Sequence, residues 1–311
     1  MFRLKLVPAN TKVPFIKHHF VAFVFSTLLA IGSIVMFFGP GVNLGIDFEG
    51  GILMEVGTDQ PADIAAMRRS MSGLGLGEVA LQEFGSPTEV LIRVQRQDGG
   101  EKEQLAAVDA VKAQLSQDFG DVSYRRVEFV GPKVSAELVL AAIEAVGIAV
   151  VAMLLYIWFR FEWQFSVGAV LALVHDVVLT IGMFAITRIE FNLASVAAIL
   201  TIVGYSINDT VVVYDRIREN LRKYKQMEIP ELLNLSINDT LSRTTMTSVT
   251  TLLALLSLFF FGGEVIRGFA FAMIWGVVVG TYSSIFVAAP LLLHLKLQRG
   301  GAVEEAEKQK A

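Results

Sequence analysis

A stripe of polar side chains inside an apolar segment is the feature of this sequence that most favours chemistry. Residues 199–215 are largely apolar, but one helical face carries the polar residues Thr201, Tyr205, Asn208 and Asp209. An ionisable side chain at membrane depth is costly and usually functional. We therefore interpret Asp209 as a residue that takes up and releases a proton. The alternative is a carboxyl group that only hydrogen-bonds to a neighbouring helix.

A second polar cluster opens the following apolar segment. Arg243 lies near the predicted inner membrane boundary, and Thr247 follows one helical turn later on the same face. Arg243 could be an anchor whose long side chain reaches the interface. Alternatively, it could pair with Asp209, hold that carboxylate ionised and be released when Asp209 takes up a proton. Both interpretations stay open at this point.

The pair His175-Asp176 places two further titratable side chains inside an apolar segment. Asp176 falls near the middle of the predicted span, where a charge is expensive. A polar packing contact is the favoured interpretation, and a functional role is the alternative.

Composition excludes several classes of function. Hydrophobic residues make up 54% of the chain, and charged residues make up only 18%, which is low for a soluble enzyme. The chain has no cysteine and four histidines, so disulfides, a thiol nucleophile and a multi-histidine metal centre are disfavoured. It has no Gly-x-Ser-x-Gly motif and no P-loop. We expect no enzymatic activity, no metal and no cofactor.

Six apolar segments of the length needed to cross a bilayer must position these residues. They are residues 20–38, 138–158, 165–187, 191–214, 244–261 and 269–294. The first could instead be a signal peptide, but its uncharged stretch is long, and Gly39-Pro40-Gly41 follows in place of a small-x-small cleavage site. We interpret it as an uncleaved anchor.

The basic residues predict the orientation of the spans. With a cytoplasmic N-terminus, the inside segments hold fourteen Lys and Arg, whereas the short outside loops hold only Arg188 and Arg267. Residues 1–19, a loop at 215–242 and a tail at 295–311 are therefore predicted to be cytoplasmic. Residues 39–136 are predicted to be extracytoplasmic, and residues 137–294 form a five-helix bundle.

The extracytoplasmic insert has the pattern of a small α+β domain. Strands are predicted at 43–57, 79–84, 90–94 and 122–130, with a helix opening at Pro61 and another at 101–119. This order predicts a ferredoxin-like fold. The fold class is thus an α-helical integral membrane protein, with one span before a ferredoxin-like domain and five after it. The insert has a net charge of −6, and no basic domain favours nucleic acid binding.

Both connections between the insert and the spans contain glycine. One connection holds Gly45, Asp47, Gly50 and Gly51, and the other holds Gly131 and Pro132. We interpret them as joints through which a change at Asp209 could tilt the insert.

Six short motifs together resemble a known family. They are Gly-Ile-Asp-Phe-Glu-Gly-Gly at 45–51, Val-Gly-Pro-Lys-Val-Ser at 130–135, Val-Gly-Tyr-Ser-Ile-Asn-Asp-Thr at 203–210, Asp-Arg-Ile-Arg-Glu-Asn at 215–220, Ser-Arg-Thr at 242–244 and Phe-Gly-Gly at 261–263. In this combination the chain resembles, over nearly its whole length, the second member of the bacterial SecD/SecF protein-export family. That family belongs to the resistance-nodulation-division superfamily.

The resemblance implies a function that composition does not show. It implies pairing with SecD in a twelve-span unit of the bacterial inner membrane beside the SecYEG channel. That unit would use the proton gradient to pull preproteins outward after SecA starts them. The family's proton-handling residues would fall on Asp209 and Arg243, with a further acidic residue on SecD, and YajC and YidC are suggested as additional partners. Two alternatives remain: a half-transporter for lipid or small molecules, and a passive assembly factor for the channel.

Overall fold

The computed structural model describes residue 8, residues 11–295 and residue 297. Six helical segments in this part of the chain are long and apolar enough to cross a membrane, which confirms the predicted number. The helices that form them are α1 (His19–Phe38), α5 (Pro132–Arg160), α6 (Trp163–Thr187), α7 (Leu193–Lys223), α8 (Ile229–Phe261) and α9 (Glu264–Ser283), the last continued by Ser284–Ala288 and α10 (Ala289–His294).

Helices α6, α7 and α9 form the centre of the bundle. More than half of each of their apolar stretches is buried, whereas α1, α5 and α8 lie at the periphery with at most 17% buried. Helix α9 packs closely on α7 because Gly276 has no side chain: a Cβ atom there would lie 2.2 Å from Ile202. The small residues of the sixth span therefore face this chain's own bundle.

The sixth span contains a π-helical turn, Ser284–Ala288, between α9 and α10. Pro290 lies in the first turn of α10 and cannot donate a backbone hydrogen bond. A π-turn inserts one residue into the helical ladder, and such turns often lie at functional sites.

The insert is a four-stranded antiparallel sheet with two helices on one face, so the predicted ferredoxin-like fold is confirmed. Its strands are β1 (Gly51–Thr58), β2 (Val79–Phe84), β3 (Ser86–Val94) and β4 (Val122–Val130), in the spatial order β2-β3-β1-β4. Helices α3 (Ile64–Ser72) and α4 (Glu101–Phe119) cover one face. Alternate strand residues such as Met54 and Ile92 pack against Met67 and Leu115 in the core.

Three predicted boundaries in the insert were wrong. The first strand begins at Gly51 and not at 43, because Ile46–Glu49 forms a short helix, α2, and two glycines with positive φ follow it. Helix α3 begins at Ile64 and not near 61, because the side chain of Asp63 caps it. Strand β3 extends back to Ser86, where it pairs with Phe84 around a single turn glycine.

The predicted cytoplasmic loop at 215–242 is also corrected, because most of it is helical. Helix α7 continues to Lys223 and α8 already begins at Ile229. The two extensions are held together by Arg216, which pairs with Asp239 at 2.8 Å, and by Asn220, which donates to Ser236 at 2.9 Å. Polar pairing across the extensions lets both helices continue beyond their apolar parts.

Two predicted segments fall largely outside the described residues. They are the tail at 295–311, of which only residues 295 and 297 are described, and the first ten residues, of which only Pro8 is described. Residues 11–16 lie along α8, where Asn238 exchanges hydrogen bonds with the backbone of Val13 at 2.9 Å in both directions.

Candidate functional site

Asp209 lies on α7 and is only 2% exposed. The side chains that act on it from α8 are Arg243 and Thr247, so the structure brings these three predicted site residues together. Its Oδ2 atom is buried and has no hydrogen-bond partner among the described residues. A buried carboxyl oxygen without a donor is unfavourable as an anion, which is consistent with the predicted proton uptake, and that role stays a prediction.

Arg243 is close enough to act on Asp209 electrostatically, but its own side chain is exposed. Of the ion pairs formed by the described residues within 4.0 Å, none joins Arg243 to Asp209. Thr247 uses its hydroxyl within its own helix, where it donates to the carbonyl oxygen of Thr244 at 2.9 Å. The direct Asp209–Arg243 pair therefore stays a prediction.

The rest of the polar stripe on α7 lies at the surface of the bundle. Thr201 and Asn208 are exposed, and Tyr205 is half-buried with a hydroxyl group that has no partner in the described part of the chain. Thr201 donates to the carbonyl oxygen of Ala197 in its own helix at 2.7 Å. Because a polar surface at membrane depth avoids lipid, the stripe is suited to contact a partner or water.

The predicted intramembrane contact of His175 and Asp176 joins three helices. Asp176, on α6, is fully buried, and its Oδ2 atom accepts hydrogen bonds from Ser206 of α7 at 2.6 Å and from Ser283 of α9 at 2.7 Å. His175 Nδ1 lies 2.9 Å from the other carboxyl oxygen. Neither serine could be predicted from the sequence, since a single serine in an apolar helix produces no pattern that indicates a role.

The joint between α1 and the insert is braced against the α6–α7 connection. Gly45 donates its backbone N–H to the carbonyl oxygen of Phe191 at 2.8 Å, and Phe191 donates to Asn43 at 2.8 Å. A Cβ atom on Gly45 would lie 2.7 Å from the carboxylate of Glu190. A larger residue at position 45 would therefore have to displace the Glu190 carboxylate and would crowd Asn192, whose Cβ atom would lie 3.2 Å away.

Asp47 connects the same joint to the start of α7. Its Oδ2 atom accepts a hydrogen bond from the backbone N–H of Leu193, the first residue of α7, at 2.9 Å. A carboxylate at a helix N-terminus satisfies a free N–H group and complements the helix dipole. The helix that carries Asp209 thus begins at the joint, about 24 Å away at the usual helical rise.

Three further charged side chains, which no sequence pattern indicated, hold the same segment. Arg93 of β3 forms an ion pair with Glu190 at 3.1 Å, and it also donates to Asn43 at 3.3 Å. Arg188 donates to the carbonyl oxygens of Pro40 at 3.0 Å and Gly41 at 2.7 Å. We call the Arg93–Glu190 pair and the Asp47–Leu193 bond together the outer brace.

The predicted joints are constrained at both ends of the insert, and movement through them stays a prediction. On the first side the outer brace holds the segment, although Gly50 and Gly51 do adopt positive φ there. On the second side β4 leads almost directly into α5, where Gly131 is extended and Pro132 is the first helical residue. Proline fixes its own φ angle, so this connection is stiff.

A cavity of about 730 Å³ lies between the uncovered face of the sheet and the outer end of the bundle. The sheet contributes charged residues, including Glu55, Arg126 and Glu128, and the bundle contributes apolar ones, including Phe259 and Phe269. The core of the insert itself is filled by side chains. Across the described residues no group of three or more His, Cys, Asp or Glu could hold a metal ion.

Comparison with known proteins identifies the family. Residues 110–298 match the family model described as protein export membrane protein SecD/SecF, C-terminal, and residues 35–62 match the SecD/SecF GG motif. The chain belongs to the SecD/SecF family. The GG-motif match contains the joint with Gly45 and Asp47, and the longer match contains Asp209 and Arg243.

Individual relatives place the chain among the SecF subunits of protein translocase. It is 46% identical to the protein translocase subunit SecF of Cereibacter sphaeroides, over 98% of this chain and 96% of the relative. It is also 46% identical to the SecF subunit of Rickettsia bellii, over 94% of this chain and 96% of that protein.

Solved structures agree with this assignment. The crystal structure of SecDF from Thermus thermophilus, a translocon-associated membrane protein, matches 94% of this chain with a TM-score of 0.84 and 36% identity. A SecDF structure in a super-membrane-facing form matches 100% of the chain with a TM-score of 0.67 and 32% identity. This SecF-family chain spans about 40% of the first SecDF chain and 42% of the second.

Proposed function

We propose that this SecF-family chain is one half of a SecD–SecF complex that uses the proton-motive force to assist protein export through the Sec channel. The observation that carries the proposal is the buried Asp209, whose Oδ2 atom has no donor among the described residues and which is 2% exposed beside Arg243. A carboxylate held this way is destabilised as an anion and gains from taking up a proton. No enzymatic reaction and no cofactor belong to the proposal.

The partner surface in this proposal is the polar stripe around Asp209. Thr201 and Asn208 are exposed at membrane depth, next to the exposed Arg243 of α8. A second membrane protein with polar side chains would cover this surface better than lipid does. We assign that role to SecD, which would contribute the additional acidic residue. The SecYEG channel, the translocating preprotein, YajC and YidC are the other proposed partners.

Helix α7 would transmit the change at Asp209 to the insert. Its middle carries Asp209, and its first residue is bonded to Asp47 of the joint. A helix is stiff along its axis, so a shift caused by repacking around Asp209 would reach the outer brace. The cavity under the sheet provides the space into which the insert could move.

The proposed orientation places both termini in the cytoplasm and residues 39–136 in the periplasm, in a bacterial inner membrane. Gly99 lies in the insert, just before α4, so the proposed orientation places it in the periplasm. A reporter enzyme that works only in the periplasm should therefore be active when it is fused after Gly99. An inactive reporter at that position would refute the orientation.

The proton role is tested by translocation into inner-membrane vesicles that carry the SecD–SecF complex. We expect Asp209→Asn to abolish the part of the rate that depends on the proton gradient, since asparagine has nearly the same shape but cannot exchange a proton. The complex should still assemble. Equal gradient stimulation in both proteins would favour a passive assembly factor.

A further inference from the structure

Asp176 is a buried carboxyl group that the proposed function does not use. It lies near the middle of α6, and the side chain is 0% exposed. Its Oδ2 atom receives two hydroxyl groups, from Ser206 of α7 and Ser283 of α9, both within 2.7 Å. These bonds tie the three central helices of the bundle together at one atom.

The charge of this site is set by few groups. An isolated carboxylate is very costly in an apolar interior, so it needs a cation or a proton. His175 is the neighbouring titratable group, with Nδ1 2.9 Å from Asp176 Oδ1. From α9, the ring of Tyr282 faces His175 at 6.4 Å, but its hydroxyl donates to Ala22 of α1.

Helices α1 and α7 contribute no further charge to this site, and Glu144, in the middle of α5, is exposed. Residues 20–38 of α1 contain no ionisable side chain. From α7, the nearest charged residue is Asp209, which is directed towards Arg243 and Thr247 of α8. The pair of His175 and Asp176 therefore reaches neutrality by holding one proton, either on the imidazole of a charged pair or on the carboxyl group of a neutral pair.

We propose that His175 and Asp176 form a second proton-binding site, whose proton controls how tightly α7 is held to α6 and α9. With the carboxylate ionised, Oδ2 accepts from both serines, as the structure shows. When the pair takes up a proton from a hydronium ion on the carboxylate, an O–H bond of hydronium breaks, an O–H bond forms on Asp176, and His175 stays neutral. The neutral carboxyl group is a weaker acceptor, so the bonds to the serines weaken.

The position of Ser206 connects this site to the proposed function, on which this step rests. Ser206 precedes Asp209 by three residues on α7, but it faces α6 and α9 while Asp209 faces α8. Movement of α7 towards α8 would lengthen the Ser206–Asp176 bond. In the sixth span, Ser283 immediately precedes the π-helical turn. The hydroxyl group of Ser284, the first residue of that turn, lies 2.9 Å from the hydroxyl group of Thr210 on α7.

An infrared titration of the SecD–SecF complex in lipid tests the site directly. We expect the difference spectrum between acidic and alkaline buffer to contain a carboxylic acid C=O band that Asp176→Asn removes and Asp209→Asn leaves in place. Asn preserves the shape and can still accept from both serines, so the variant should fold. Retention of every titrating band in Asp176→Asn would overturn the proposal.

Gradient-driven translocation then tests whether the site acts on α7. Ser206→Ala keeps the Asp176 carboxyl group but removes its tie to α7, and we expect it to reduce the gradient-dependent rate several-fold while the infrared band persists. The matched control is Thr240→Val on α8, because Thr240 is buried and, among the described residues, its hydroxyl bonds only carbonyl oxygens of its own helix, at 3.1 Å. If Ser206→Ala translocates at the same rate as that control variant, the proposed effect of the Asp176 site on α7 is refuted.

The two proposals fail in different ways. If Asp209→Asn keeps its gradient stimulation, the proposed function fails, whereas the infrared band of Asp176 still decides whether the second site binds a proton. If only the Asp176 band is missing from the wild-type spectrum, the second site is refuted and the role of Asp209 stands.

Discussion

Carboxyl groups in the insert and in the membrane bundle meet opposite surroundings. Asp118, at the end of α4, lies in water and accepts from Ser70 and from Gln114, and these two bonds lower the pKa of Asp118 from its usual 3.8. Asp209 is buried, and its Oδ2 atom has no donor in the described part of the chain. The two carboxyl groups differ in their surroundings and not in their chemical identity, and the surroundings of Asp209 support its proposed role as a proton site.

The two regions also bury opposite kinds of residues. The insert hides Met54 and Ile92 and exposes its charges, as a soluble domain does. The bundle exposes large apolar residues such as Leu140 and Ile148 and buries polar ones such as Asp176 and Ser206. In lipid, polar groups are stable only inside the protein, so they bring the central helices together.

The largest expected effect comes from removing the unsatisfied carboxyl group. Asp209→Asn should eliminate gradient-dependent translocation in vesicles, whereas Asp118→Asn should leave it unchanged, because only the first carboxyl group lies between helices, where the proposed function requires a proton to change their packing. A similar loss in both variants would show that burial does not distinguish the two carboxyl groups.

Arg243 should show the next largest effect. If it pairs with Asp209 during the cycle, Arg243→Met should nearly abolish gradient-dependent translocation. Arg243→Lys should be clearly impaired, because lysine lacks the planar guanidinium that binds a carboxylate through two N–H groups. The measurement is the vesicle translocation rate of each variant.

A double-variant cycle then separates pairing from anchoring. In an Asp209→Asn background, a further change at Arg243 should have little effect, since two residues that act together are not additive. Independent losses, or a silent Arg243→Lys, would instead support an interfacial anchor.

Opening the outer brace should have a moderate effect. Arg93 and Glu190 are each about one-fifth exposed, so their pair is worth about 1 kcal/mol or less. We expect Glu190→Gln to reduce gradient-dependent translocation by a few-fold and to increase hydrogen exchange at the joint. The charge-reversed double variant, Arg93→Glu with Glu190→Arg, should recover part of the rate. If the double variant recovers none of the translocation rate, the placement of the two side chains, and not their opposite charges, is what the joint requires.

The smallest effect is expected in the insert at Ser70. Because the pKa of Asp118 is lowered in the folded state, the stabilisation it contributes is present above its usual value of 3.8 and is lost as the pH falls through the folded-state value. Ser70→Ala should therefore increase hydrogen exchange in α3 and α4 slightly at neutral pH. That difference should vanish in strong acid, and translocation should be unaffected. A difference that persists in acid would mean that Ser70 stabilises the helices independently of the charge.

Local patterns predicted many elements well. Strand β2 at Val79–Phe84 and helix α4 at Glu101–Phe119 were predicted with these limits, because alternation and helical periodicity are local properties. The six spans were predicted in number because crossing a bilayer requires a long apolar run. Asp209 stood out in the sequence because a carboxyl group inside such a run is rare.

The sequence by itself therefore determined the class of the protein, the number of spans, the fold of the insert and the ionisable residues placed at membrane depth. Tertiary structure decided which partners those residues have. The bracing of the joint by Phe191 and Glu190, and the meeting of Ser206 and Ser283 at Asp176, join residues far apart in the chain. A hydrogen bond or ion pair needs a partner at one short distance and orientation, and only the packing of helices and sheet creates that arrangement.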